Sequence, residues 1–191
     1  MTANTAQLVA RLAVLALVAV LLQTAAIAQI SFLGATPDIT PLVVVSVGLL
    51  AGPIPGAVFG FGVGLLVDVA IVAPNLGVSS LVLLGVGFWG GRMREILRDP
   101  DATLLPLAIG AIATLGALVG FSLIQFLLGV EAPVSGQIVR QILMTIVINT
   151  LLSLPVYAIC RRVLLPFLPD DPRRRRRRAY TTGGLSPLSR A

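Results

Sequence analysis

The sequence predicts an all-α membrane protein built as a six-helix transmembrane bundle. Two observations carry this reading. Hydrophobic residues make up 57% of the 191-residue chain and charged residues only 12%. Apolar runs of about 20 residues, the length that crosses a bilayer core, recur along it. A third observation supplies the topology. With six spans, almost every arginine-bearing segment falls on one side, the pattern of a positive-inside protein.

Hydropathy places the helices near 9–28, 39–51, 55–73, 77–91, 103–128 and 139–160. Arg11 precedes the first apolar run, which continues past Leu22 and so suits a retained helix. The same features, with Ala26-Ile27-Ala28, also fit a cleaved secretory signal. The second helix is short for a full span and opens at Asp38. GPIPG, residues 52–56, stops it and starts the third, because proline and glycine end one helix and begin another. Arg92, Arg94 and Arg98 follow the fourth helix, in a segment, 91–101, that reads as a surface helix extension or a contact for a cytoplasmic protein. Trp89 stands just before it as an interfacial anchor. Arg161 and Arg162 follow the sixth helix. Asp38, the loop 73–77 and Glu131 fall on the other side, with Arg140 the single exception to the charge bias. Both termini are therefore expected to be cytoplasmic.

Residues 1–168 make one bundle, and residues 169–191 a basic tail without apolar periodicity, expected to be disordered. The tail carries Arg173, Arg174, Arg175, Arg176, Arg177 and Arg178 in one run. Such a run acts as a topogenic signal and is attracted to anionic lipid of the inner leaflet. A docking strip for an acidic partner is the alternative. No aromatic stacking module accompanies the run, so nucleic acid is not an expected partner.

Composition excludes several chemistries. The chain has no histidine and no lysine. A Ser-His-Asp or Cys-His nucleophile, a His-ligated zinc and a Ser-Lys pair are all out of reach. Cys160 is alone and forms no intrachain disulfide. No Walker A loop is present. Catalytic, metal and cofactor residues are therefore expected to be none, and the chain is expected not to be an enzyme.

Two ridges stand out. Gly56, Gly60 and Gly64 recur at steps of four on the third helix, and the next step is Asp68. Small residues at this spacing let a neighbouring helix approach closely. The carboxylate continues the ridge and should face protein or a cavity, since exposing it to lipid costs on the order of 3 kcal/mol. It reads either as a hydrated acid capping the neighbouring loop or as a buried contact to a partner residue, in this bundle or in another protein. Gln141, Thr145, Asn149, Ser153 and Tyr157 form a polar ridge on the sixth helix that should turn inward. It reads as interhelical hydrogen bonding, or as the lining of a substrate cavity with Asp68 and Gln125. Gly116 and Gly120 read as a further packing pair.

Several pieces, taken in order, resemble the MreD family of bacterial rod shape-determining membrane proteins. They are Pro37-Asp38 opening the second helix, GPIPGAVFGFGVGLLVD (52–68), PNLGVSSLVLLGVGFWGGRMRE (74–95) and INTLLSLPVYAICRRVL (148–164). The family segment fits at Gly56, Gly60, Phe61, Gly64, Leu65 and Asp68, while Asn75 interrupts the usual proline-leucine-glycine opening of the fourth helix. The arginine tail has no counterpart in the family pattern. The resemblance implies a non-enzymatic component of the cell-elongation and peptidoglycan-synthesis complex in the bacterial plasma membrane. Its implied partners are an MreC-like periplasmic protein, MreB, RodA and a penicillin-binding transpeptidase. It also implies a fold similar to the substrate-binding subunit of energy-coupling-factor transporters. That likeness keeps open a second reading, a small-molecule-binding subunit of a membrane transporter.

Overall fold

The computed structural model describes residues 2–25, 36–72, 75–96, 105–129, 136–164 and 166. Six helices follow one another: α1 (Thr2–Ala25), α2 (Thr40–Ala51), α3 (Pro53–Ala70), α4 (Val78–Ile96), α5 (Leu105–Leu127) and α6 (Gly136–Leu164). Four of them contain stretches long and apolar enough to cross a membrane, Ala6–Ala25, Pro53–Ala70, Leu107–Leu127 and Arg140–Leu164. α4 continues to Ile96, past the expected stop near 91, and so takes in Arg92 and Arg94. The bundle runs antiparallel from helix to helix, because side-chain contacts pair the end of α1 with the start of α2 and the start of α1 with the end of α6.

α2 is the hub. Every residue from Thr40 to Leu50 is buried, and all five other helices pack against it. A helix apolar on all sides belongs in the middle of a bundle. Its 12 residues rise only about 18 Å, well short of the ~30 Å bilayer core. Below it a single residue, Gly52, joins it to α3. Gly52 takes φ 105°, a left-handed backbone that glycine alone enters freely. Pro53 then supplies the preset φ of a first helical turn. Gly52 N–H donates to Gly48 O and Gly56 N–H donates to Gly52 O, so the turn leaves few main-chain groups open to lipid.

The arginines gather where α2 ends. Arg94 Nη1 donates to Leu50 O at 2.7 Å and caps the carbonyl end of α2, where a cation is favoured. Arg11 Nη1 reaches Val163 O at 3.4 Å and ties the start of α1 to the end of α6. Arg140 lies at the other end, at the start of α6. Arg98, Glu131 and the tail arginines Arg173 to Arg178 lie outside the described residues.

Candidate functional site

Glycine sets the distance between α3 and α4. A Cβ built on Gly56 would meet Gly87 O at 2.5 Å, and one on Gly64 would meet Ser79 O at 2.5 Å. One on Gly60 would collide with Leu83 O, and the reciprocal Cβ on Gly87 with Gly56 O. The ridge 56-60-64 is therefore in backbone contact with α4. Gly48 of α2 faces the same stretch of α4, at Gly87 and Gly91. Gly62, on the outer side of α3, meets nothing within 4 Å. The pair on α5 divides: Gly120 packs on Val82, while Gly116 faces open space and is no packing position.

Asp68 ends the ridge. It is 1% exposed, and its Oδ2 accepts the Gly77 N–H at 2.7 Å. Gly77 is the residue before α4, and its carbonyl accepts the Leu81 N–H, the first bond of that helix. The carboxylate thus sits at the positive end of α4 and holds an N–H that the helix itself cannot use. It caps the neighbouring loop, as one reading expected, but from a buried position and not a hydrated one.

The polar ridge of α6 also turns partly inward. Thr145, Asn149 and Ser153 are buried and Tyr157 half-buried, but Gln141 is exposed. Gln141 does not turn inward as expected: it lies near the start of α6, about two turns ahead of the level at which Asn149 meets Asp38. The hydroxyls mostly return to their own helices. Ser153 Oγ donates to Thr150 O, Thr150 Oγ1 to Ile146 O and Thr114 Oγ1 to Gly110 O. Asn149 does something else. Fully buried, it accepts the Asp38 N–H on Oδ1 at 3.0 Å and donates from Nδ2 to Asp38 O at 2.9 Å. The same Nδ2 lies 3.3 Å from Thr114 Oγ1.

A second amide completes the arrangement, and it was not singled out from the sequence. Gln23 of α1 donates from Nε2 to Pro37 O at 3.1 Å and accepts the Ile39 N–H on Oε1 at 3.0 Å. Pro37-Asp38-Ile39 is therefore held between two amide side chains, one from α1 and one from α6. Asp38 Oδ1 in turn accepts the Thr40 N–H at 3.0 Å and starts α2. Helix rise puts Gln23 about 18 Å from Arg11, and Asn149 about 21 Å from Val163. Asp38 thus lies at the end of the bundle away from Arg11 and Arg94, as the charge pattern implied, at a depth still within a ~30 Å bilayer core. Non-helical backbone survives at that depth only where protein groups satisfy it, and here four main-chain groups are satisfied by Gln23 and Asn149. The signal was present in the sequence: a lone glutamine late in an apolar run must find a partner.

The matching segments of sequence are thus the parts that make the bundle's interior: the held turn at Pro37-Asp38, the glycine ridge, the Asp68 cap and Asn149. A family model described as rod shape-determining protein MreD matches residues 5–163. The chain belongs to the MreD family. It is a multi-pass membrane protein of the rod-shape system. No curated protein and no solved structure matches it. Within this MreD-family bundle the geometry separates residues that the cavity reading joined. Gln125 is exposed, Asn149 is engaged by Asp38, and Asp68 by Gly77. A cleft among the described residues lies beside Asp38, Thr40 and Ser79 instead. Among the described residues no group of histidine, cysteine, aspartate and glutamate could hold a metal ion.

Proposed function

We propose that the chain is a non-enzymatic scaffold of the cell-elongation complex in the bacterial cytoplasmic membrane. The single observation that carries this is the family match over residues 5–163. The structure supports it physically. The longest stretch between consecutive helices runs from residue 26 to residue 39, too short for a separate domain, so work is done by helix faces. Large apolar side chains line the outer faces of α3 and α5, among them Ile54, Val58, Phe61, Leu115 and Val119. In this reading an MreC-like protein, RodA and a penicillin-binding transpeptidase meet those faces, and MreB meets the arginine end. Both termini are cytoplasmic, which places Arg92, Arg94, Arg98 and the run Arg173 to Arg178 against anionic lipid or acidic partners. Gly56, Gly60, Gly64 and Asp68 keep the bundle in the shape that presents these faces. The fold likeness to the substrate-binding subunit of energy-coupling-factor transporters rests on the resemblance alone.

The test is a pull-down of the tagged protein from its native membranes in a gentle detergent, read by mass spectrometry. Recovery of an MreC-like protein with wall synthases is the expected result. Recovery of transporter ATPases and a coupling subunit, without wall proteins, would overturn the scaffold reading.

A further inference from the structure

The short central helix leaves room above itself. α2 fills about 18 Å of a bilayer core ~30 Å thick. Beyond its first turn lies a cleft of about 380 Å³. That is within the range of small-molecule pockets, roughly 300–1,000 Å³. Asp38 and Thr40 line it at the start of α2, Thr24 comes from α1, Ala70 from α3, Ser79 from α4 and Phe121 from α5. Most of the remaining lining is aliphatic.

The charge in this cleft is negative. Asp38 is the one charged residue among those that line it. The Thr24 hydroxyl spends its proton on Val20 O and keeps only acceptor lone pairs. Gln23 donates one amide N–H to Pro37 O and accepts the Ile39 N–H, so the turn fixes its amide in place. The Thr40 N–H is taken by Asp38 Oδ1. Among the described residues no arginine lines the cleft, and the chain has no lysine. A carboxylate at membrane depth without a cation beside it attracts one. An anionic headgroup would instead meet a like charge with no compensating cation among the described lining residues.

We propose that this cleft binds the primary ammonium group of an amphiphile, held by the Asp38 carboxylate, with the apolar part lying along Val67, Ala70 and Phe121. The source of the ammonium is either a phospholipid head of the ethanolamine type or a soluble amine. The inference does not depend on the scaffold reading, since a scaffold and a transporter subunit could each carry such a site.

The experiment measures the thermal unfolding midpoint of delipidated full-length protein in detergent. The probes are short-chain phosphatidylethanolamine, short-chain phosphatidylglycerol of equal chain length, and ethanolamine. Two variants accompany the wild type. Asp38→Asn keeps an acceptor for the Thr40 N–H while removing the charge. Ala70→Phe fills the cleft from an exposed position and leaves the hydrogen bonds at Asp38 untouched. A saturable rise with phosphatidylethanolamine, absent with phosphatidylglycerol, is the expected result. Asp38→Asn should weaken the apparent affinity by about tenfold or more, as loss of a charge-assisted hydrogen bond does, and Ala70→Phe should abolish the response. A matching rise with ethanolamine alone supports the ammonium site and assigns it to a soluble amine. Equal rises with both lipids, a response that survives Ala70→Phe, or no response to either amine would each overturn the proposal.

Discussion

Replacing Asn149 with leucine tests the amide grip on Pro37-Asp38-Ile39. The substitution roughly keeps side-chain volume and removes the pair of hydrogen bonds to Asp38 N–H and Asp38 O. Two magnitudes compete. A side-chain hydrogen bond between membrane helices averages ~0.6 kcal/mol, because the separated helices find other partners. A buried main-chain group left unpaired costs about 1–3 kcal/mol. The second governs here, since the Asp38 peptide groups are outside any helix and have no i,i+4 neighbour to return to. Asn149→Leu should therefore destabilise the bundle by about 2–6 kcal/mol. At ~2–4 °C per kcal/mol for a chain of this size, the unfolding midpoint in mild detergent falls by at least about 4 °C. Thr114→Val is the comparison. It removes only the 3.3 Å contact to Asn149 and a bond within α5, and should cost ~0.6 kcal/mol. If Asn149→Leu lowers the midpoint no more than Thr114→Val, the segment does not need its side-chain partners and the argument fails.

Three further outcomes follow from the same structure. Gly60→Ala drives a methyl into the Leu83 carbonyl and should cost about 1–3 kcal/mol in the same melting assay, whereas Gly62→Ala, which meets open space, should leave the midpoint unchanged or raise it. Asp68→Ala strips the Gly77 N–H of its acceptor at the positive end of α4 and should cost about 1–2 kcal/mol; Asp68→Asn, which can still accept, should lose less, and pull-down yields of partners should follow the same order. Gln23→Leu and Asn149→Leu act on one short segment, so the double variant should be less destabilised than the sum of the two, by about 0.5–3 kcal/mol in a double-mutant cycle.

Much of the architecture was legible because lipid makes sequence rules strict. A span must be apolar and about 20 residues long, and small residues at steps of four must pack. Those two constraints located the four long apolar helices and the ridge at Gly56, Gly60 and Gly64. They did not say which helix the ridge would meet, because spacing on one helix carries no information about the other. The answer depended on Gly87 and Ser80, whose small side chains complete the contact from α4. Charge placement put Asp38 at the correct end of the bundle, opposite Arg11 and Arg94, but carried no information on the groups that hold it. Gln23 was hidden by its setting, an amide near the end of an apolar run. Its meaning lay in a backbone segment many residues later, and only the fold brings them together. Gln141 misled in the opposite sense: the step of four continued along the helix after its neighbours had ended.

The one-residue turn at Gly52 bears on how the protein is made. α2 is 12 residues long, too short to span a bilayer by itself. α3 is long enough, and only Gly52 separates them. The two helices must then leave the translocation machinery as one hairpin, with α2 sheltered against α3 until α4 arrives to cover the glycine face. A charge inserted at Gly52, or a lengthened turn, would be felt during synthesis, before any folded bundle exists to be destabilised.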